Sequence, residues 1–193
     1  MKNNYVLIDY ENVQAIELDK IHGLNLNVWI FTGENQKKIP TDLVQNLLKI
    51  DPKPTLLVID GNGKNALDFH IAFYLGELAT KDPNGFFHII SKDTGFDPLI
   101  SHLKQKKIFC ARESSIDDIP LIKYGKTQST SERIEIIKKK LPQARPRTIK
   151  SLKSSIQAIF LKALSEPDID EIINEMNNTG LISIENEKPV FKF

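Results

Sequence analysis

FFHIISKDTGFDPLI, residues 86–100, joins a short apolar run to a turn and to the start of a helix. FFHII shows no polar alternation, the pattern of a strand covered on both faces. Ser, Thr, Gly and Pro in the positions that follow suit a turn that opens a helix. Two acids, Asp93 and Asp97, stand four residues apart just where the strand ends. Open α/β sheets bind their ligands outside the carboxyl ends of the strands. A turn accounts for the small residues but not for the two acids.

Working outward, similar apolar runs recur at YVLID (5–9), VWIFTG (28–33), TLLVID (55–60), FFHIIS (86–91) and KIFCAR (107–112). Helical patterns lie between them: a short one within 12–22, then 41–50, 65–79 and 96–105. In the second of these, Leu43, Leu47 and Ile50 follow helical spacing. The alternation predicts an α/β fold with a mostly parallel sheet, helices on both faces and right-handed crossovers. With strand order 3-2-1-4-5, strands one and four are neighbours and mark the switch point at which ligands bind.

From Tyr124 onward the composition changes. SERIEIIKKKL has helical spacing, and Ser129 with Glu132 can form a capping box at its start. PQARPR then interrupts, because proline stops helices. TIKSLKSSIQAIFLKAL and PDIDEIINEMNN read as two further helices, the second closed by Gly180. LISIENEKPVFKF reads as a hairpin turning around Asn186–Lys188. The expected division is a catalytic-type α/β domain over 1–125, a basic linker with one helix over 126–147, and a small winged-helix-like domain over 148–193.

Bulk numbers exclude several classes. The net charge of the 193 residues is only +1, so no global field advertises a polyanionic partner. The balance is uneven, however. Residues 1–125 carry 14 basic against 16 acidic groups, and residues 126–193 carry 12 against 9. Eight basic residues face one acid between Arg133 and Lys153. The single cysteine, Cys110, rules out a disulfide framework within the chain and a Cys-rich zinc module. No apolar stretch reaches membrane-span length and the first residues lack a signal-peptide layout, so the expected compartment is the cytoplasm.

Four acids line up by this topology. Asp9 ends the first strand, followed by Glu11 and Asn12; Asp68 lies early in the third main helix; Asp93 and Asp97 flank the turn after the fourth strand. A single Asp after a strand is most often a helix N-cap. Four of them meeting at one sheet edge call for more. Clustered carboxylates repel, and a hard divalent cation, Mg²⁺ or Mn²⁺, removes that penalty through an all-oxygen shell. Such an ion also activates water and stabilises charge on a phosphate.

DYEN, NALDFHIAFYLGEL and SKDTGFDPLI together resemble the three signature segments of PIN-like nucleases, especially the NYN branch, over about residues 4–123. The resemblance implies a three-layer PIN-like fold and a metal-dependent, endonucleolytic ribonuclease. It implies that Asp9, Asp68, Asp93 and Asp97 are the catalytic, metal-binding acids. Asn12 would steady the first acid, with Glu11, Ser91 and Thr94 in support. Two positions depart from the family pattern: Lys92 replaces a small residue, and Glu11 adds a carboxylate. Lys92 can either meet a phosphate or pair with a neighbouring acid.

Other signals are weaker. GNGKN (61–65) lacks P-loop spacing, though Lys64 can contact an RNA phosphate. Asp60 alone does not make a phosphoacceptor domain, since that would leave Asp68 and Asp97 unexplained. Phe69, Phe73 and Tyr74 fall at helical spacing and read as core rather than as base-stacking platforms. Lys138, Lys139, Lys140, Arg145 and Arg147 can neutralise RNA phosphates or serve only as a solvated tether. Four acids on the last helix argue against major-groove reading by the C-terminal module, which leaves RNA binding through its other faces, a protein partner or a second copy open. The expected partner is an RNA substrate, with no membrane. The rival reading is a catalytically inactive PIN-fold RNA-binding or regulatory adaptor.

Overall fold

The computed structural model describes residues 3–193 apart from 15, 35, 37, 62, 64, 125–128, 142–145, 161–162 and 186–187. The chain divides into two compact units, Met1–Ile119 and Pro120–Phe193.

In the first unit, β1 (Asn4–Asp9), β2 (Leu26–Gly33), β3 (Thr55–Ile59), β4 (Phe86–Ile90) and β5 (Phe109–Glu113) form one sheet. All pairings are parallel, as the alternating pattern predicts, and the order is β3-β2-β1-β4-β5, the one supposed for the sheet above. Three helices connect the strands: α1 (Thr41–Leu47), α2 (Ala66–Lys81) and α3 (Asp97–Gln105). Register pairs Ile8 with Ile30 on one side and with Ile90 on the other. The carboxyl ends of β1, β2 and β4 are therefore level, and the residues after them share one edge.

Leu67, Ile71, Leu75 and Leu78 make one stripe along α2. They share a core with Leu7, Phe31, Phe87 and Ile89 of the sheet and Leu103 of α3. Val6, Ile8, Val28 and Ile30 alternate to the opposite face and are buried too. The inner strands are thus covered on both sides. The rim strand β3 departs from that expectation, with Val58 63% exposed. α2 packs on β1 and β2, and an edge strand is the first to lose cover. The helix expected within 12–22 is reduced to a 3-10 turn at Leu18–Ile21, which buries Leu18 and Ile21.

The second unit holds α4 (Pro120–Lys123), α5 (Thr130–Lys140), α6 (Ile149–Ile159), α7 (Glu166–Asn178) and an antiparallel pair, β6 (Ile182–Glu185) and β7 (Lys188–Phe191). Ser129 and Glu132 form the anticipated capping box, and Thr148/Ser151 and Ser165/Asp168 form two more. Gly180, at φ +72°, follows α7 in the left-handed conformation that glycine adopts without strain. Ile134, Ile137 and Leu141 share a core with Leu152, Ile156, Phe160, Ile169, Ile172 and Met176. The helix read as part of a linker is therefore built into this unit, because its apolar stripe has a partner to bury against. Of PQARPR, residues 142–145 lie outside the described residues. Among the described residues, no helix is long and apolar enough to cross a membrane.

Arg133, nearly buried, bonds Asp168 at 3.2 Å. Burial pushes the Asp168 carboxyl up, but hydrogen bonds from Ser165 and the Arg133 guanidinium outweigh it and hold it below its usual value. A depressed folded-state value adds stability above the ordinary carboxylate range, and this is lost as pH falls through the lowered value. Asp168→Asn is expected to destabilise by about 1 kcal/mol at pH 7, discounted for partial exposure. The gap between variant and parent should close as pH falls through that lowered value; urea titrations at pH 7 and in acid check it.

Candidate active-site crevice

Asp9 is the last residue of β1 and is fully buried. An isolated buried carboxylate would be costly, but this one is well supplied with donors. The Ser91 hydroxyl donates to Oδ2 at 2.7 Å, the Asn12 amide donates to the same oxygen at 2.6 Å, and the Asn12 backbone N–H donates to Oδ1 at 3.3 Å. Ser91 Oγ in turn accepts the Asp93 backbone N–H at 3.0 Å. The two strand-end acids are thus tied together through one serine, and of the four supporting residues implied by the resemblance, Asn12 and Ser91 bond Asp9.

Asp93 caps the 3-10 turn Thr94–Phe96, its Oδ1 accepting the Gly95 N–H at 2.7 Å. A Cβ at Gly95 would stand 3.1 Å from that oxygen, so the turn suits glycine. Thr94 is exposed at the first position of the turn. Asp68 reaches in from the first turn of α2, half-buried. Burial, and then the charges of Asp9, Asp93 and Glu11, raise its carboxyl above the ordinary value. Asn65 holds the N-cap position of α2 with φ at 63° but makes no side-chain cap bond.

A crevice of about 450 Å³ is lined by Glu11, Asn12, Glu34, Asn65, Asp68 and Asp93, with Gly33, Gly61 and Gly63 keeping its walls low. Glu11 lies over β2 so closely that a Cβ on Gly33 would come within 1.9 Å of its Oε1. No basic residue lines the crevice among the described residues. Carboxylate and amide oxygens of this kind are the donor set a hard divalent cation takes. Among the described residues, no three acids, histidines or cysteines are drawn tightly enough to hold an ion alone.

Asp97 stands apart from this group. Arg112, at the end of β5, grips it with two bonds, Nε to Oδ1 at 2.7 Å and Nη2 to Oδ2 at 3.2 Å. A third bond runs from Arg112 Nη1 to the Ser91 carbonyl at 3.2 Å. The guanidinium holds the Asp97 carboxyl below its usual range. Lys92 is exposed, and among the described residues it makes no ion pair with Asp93 or Asp97. Lys64 and Arg145 lie outside the described residues. Lys138 pairs with Glu135 at 2.7 Å within α5, while Lys139, Lys140 and Arg147 are exposed.

Sequence reasoning passed over two residues of this edge. Glu34 follows β2 directly and accepts the Gly61 N–H at 3.3 Å. The strand-end rule that singled out Asp9 and Asp93 reaches it equally. Arg112 was visible only as the end of strand five, and its choice of Asp97 needed the β4–β5 register, which sets Arg112 beside Ile89. Phe69 and Phe73, read as core, are instead 70% and 65% exposed. The stripe 67, 71, 75 and 78 takes the buried face of α2, and the two rings fall outside it.

A family model described as PIN domain matches residues 3–113, which include Asp9, Asp68, Asp93 and Asp97. No curated protein and no solved structure matches the chain.

Proposed function

The chain belongs to the PIN domain family, and from that premise we propose that its first unit is a metal-dependent ribonuclease hydrolysing phosphodiesters within an RNA strand. The observation that carries this reading is the convergence of Asp68, Asp93 and Glu11 on one crevice, with the buried Asp9 near enough for its charge to act on Asp68. Asp9, Asp68 and Asp93 would hold the ion, in part through its water ligands. Mg²⁺ or Mn²⁺ bound there supplies an activated water and neutralises charge on the phosphate.

The chain's own residues do the positioning. Asn12 and Ser91 fix both oxygens of Asp9, so the first acid cannot swing out of line. Gly95 pins one oxygen of Asp93. Arg112 clamps Asp97 and the Ser91 carbonyl together, which steadies the turn carrying Asp93. Asp97 thereby serves as an outer charge of the site rather than a direct ligand. Three carboxylates with their support are the working set.

Lys92, free of the acids, is assigned to substrate phosphate. Lys92→Ser should then lower cleavage about tenfold, the worth of one charged contact, with metal affinity unchanged by titration calorimetry. Tighter metal binding in that variant would return Lys92 to the acids. Lys64, Lys138, Lys139, Lys140, Arg145 and Arg147 are assigned to phosphate contacts that position RNA. Neutralising Lys138, Lys139, Lys140, Arg145 and Arg147 should flatten the salt dependence of RNA binding by about 0.7 in log–log slope per lost contact. Cleavage at saturating RNA should stay near the parent rate. Equal slopes would make the segment a structural element alone. Residues 148–193, together with α5 of the same core, are assigned to a winged-helix-like module that docks a protein partner or a second copy.

Cleavage of labelled single-stranded RNA in Mg²⁺ or Mn²⁺, against EDTA and against Asp93→Asn, tests the proposal. Metal-dependent products that the variant fails to form support it. RNA binding with no cleavage at any metal concentration would establish the inactive adaptor instead.

A further inference from the structure

We propose that Phe69 and Phe73 form a stacking platform for the bases of a single-stranded nucleic acid leaving the acid crevice; this rests on the nuclease reading above and names the form of its substrate. Asn65, Ala66, Leu67 and Asp68 line the crevice, and Phe69 is the next residue of the same helix. Asn65, Phe69, Ala72, Phe73 and Gly76 lie within a narrow arc of α2, at 100° per residue. The Phe69 and Phe73 rings are 70% and 65% exposed on it. Gly76 leaves the strip low, since a Cβ there would meet nothing within 4 Å.

Phe73 is also held in place. Its ring meets Tyr74 edge-on at 5.3 Å, and Tyr74 packs against Trp29 and Phe31 at 5.7 and 5.6 Å. Phe31 is a fully buried core residue, so the exposed ring ends an aromatic chain rooted in the sheet. An anchored ring loses little freedom when a ligand covers it.

The occupant follows from chemistry and from position. The strip carries no charge between Asp68 and Glu77, and Glu77 is paired with Lys81. An uncharged aromatic surface accepts the π-face of any base and leaves the phosphates to other contacts. A strand with a phosphate at the acids must pass an adjoining surface, and α2 provides one that begins at Asp68. The two rings are one turn apart, about 6 Å along the axis, against about 3.4 Å between bases stacked in a strand. Each ring has room for its own base. A duplex keeps its base faces hidden and cannot use such a surface.

The test uses the full chain carrying Asp93→Asn, which keeps RNA intact, and the anisotropy of a labelled 12-nucleotide RNA, single-stranded or paired with its complement. Phe69→Ala and Phe73→Ala should each weaken single-strand binding about 5- to 150-fold, the worth of stacking one base on an aromatic ring. Tyr at either position should bind as the parent does, Leu should fall with Ala, and the salt slope should not change. Duplex binding should be the same in all variants. The platform is overturned if the double Ala variant binds the single strand as tightly as the parent, if Leu serves as well as Phe, or if the parent binds no single strand. A dimer in sedimentation that the Ala substitutions split would overturn it too, assigning the face to protein. Cleavage by the chain with Asp93 intact separates this from the nuclease reading. Cleavage with no Ala effect on binding sinks the platform alone; lost binding in the Ala variants without parental cleavage in Mn²⁺ sinks the nuclease alone.

Discussion

Replacing Asp93 by Asn is expected to lower RNA cleavage at least about 1,000-fold, equivalent to about 4 kcal/mol of transition-state stabilisation. The amide keeps Oδ1 and so keeps the bond from Gly95 that caps the turn. Shape is preserved and one negative charge is removed from the side of Asp68, whose carboxyl feels it directly. Metal affinity measured by calorimetry should fall together with activity. Melting without metal should move the other way, upward by a few degrees, because repulsion among Asp9, Asp68, Asp93 and Glu11 is relieved. A variant that cleaves at the parent rate would place the chemistry elsewhere. One that loses activity and also melts well below the parent would show that Asp93 matters for folding rather than for reaction.

The second large effect concerns stability. His88 and Glu113 are both buried, 2% and 8% exposed, and His88 Nδ1 meets Glu113 Oε1 at 2.9 Å. His88 Nε2 meets Asn4 Oδ1 at 3.1 Å, so the ring bridges β1, β4 and β5. Glu113→Ala removes one side of this pair and strands the other in the sheet interior. The expected loss is about 1–3 kcal/mol, the cost of a buried polar group left without its partner, read from the urea midpoint at pH 7. Replacing both His88 and Glu113 by Leu should recover most of that loss, since an apolar pair of similar volume avoids the desolvation cost. If the double variant is no more stable than Glu113→Ala, the pair contributes net attraction rather than a mutual debt. RNA cleavage by the double variant should stay near the parent level, because neither residue lines the crevice.

Much of the first unit was legible from local pattern. Five apolar runs without alternation required strands covered on both faces, and helical spacing between them required crossovers, which leaves few topologies. That reasoning reached the parallel sheet, for which the order β3-β2-β1-β4-β5 was supposed and is found, and the strand-end positions of Asp9 and Asp93. It reached them because strand ends are set by where apolar runs stop, a property of the chain itself. The capping box of Ser129 and Glu132 is similarly local.

Tertiary structure decided what depends on a partner distant in sequence. Asp97 looked equivalent to Asp93, yet Arg112, fifteen residues away, takes both of its oxygens. Only the pairing of β4 with β5 brings that guanidinium to the turn. Helical spacing placed Phe69 and Phe73 near the apolar stripe of α2, but which part of the stripe is buried depends on how the helix seats on β1 and β2. The helix α5 read as a tether because its own sequence is basic and flanked by breakers. Its apolar side found Leu152, Ile156 and Ile169 to bury against, and this placed it in a core. Periodicity states that a face is apolar, and charge states that a group needs a counterpart. Which surface or which counterpart answers is settled only when the chain closes on itself.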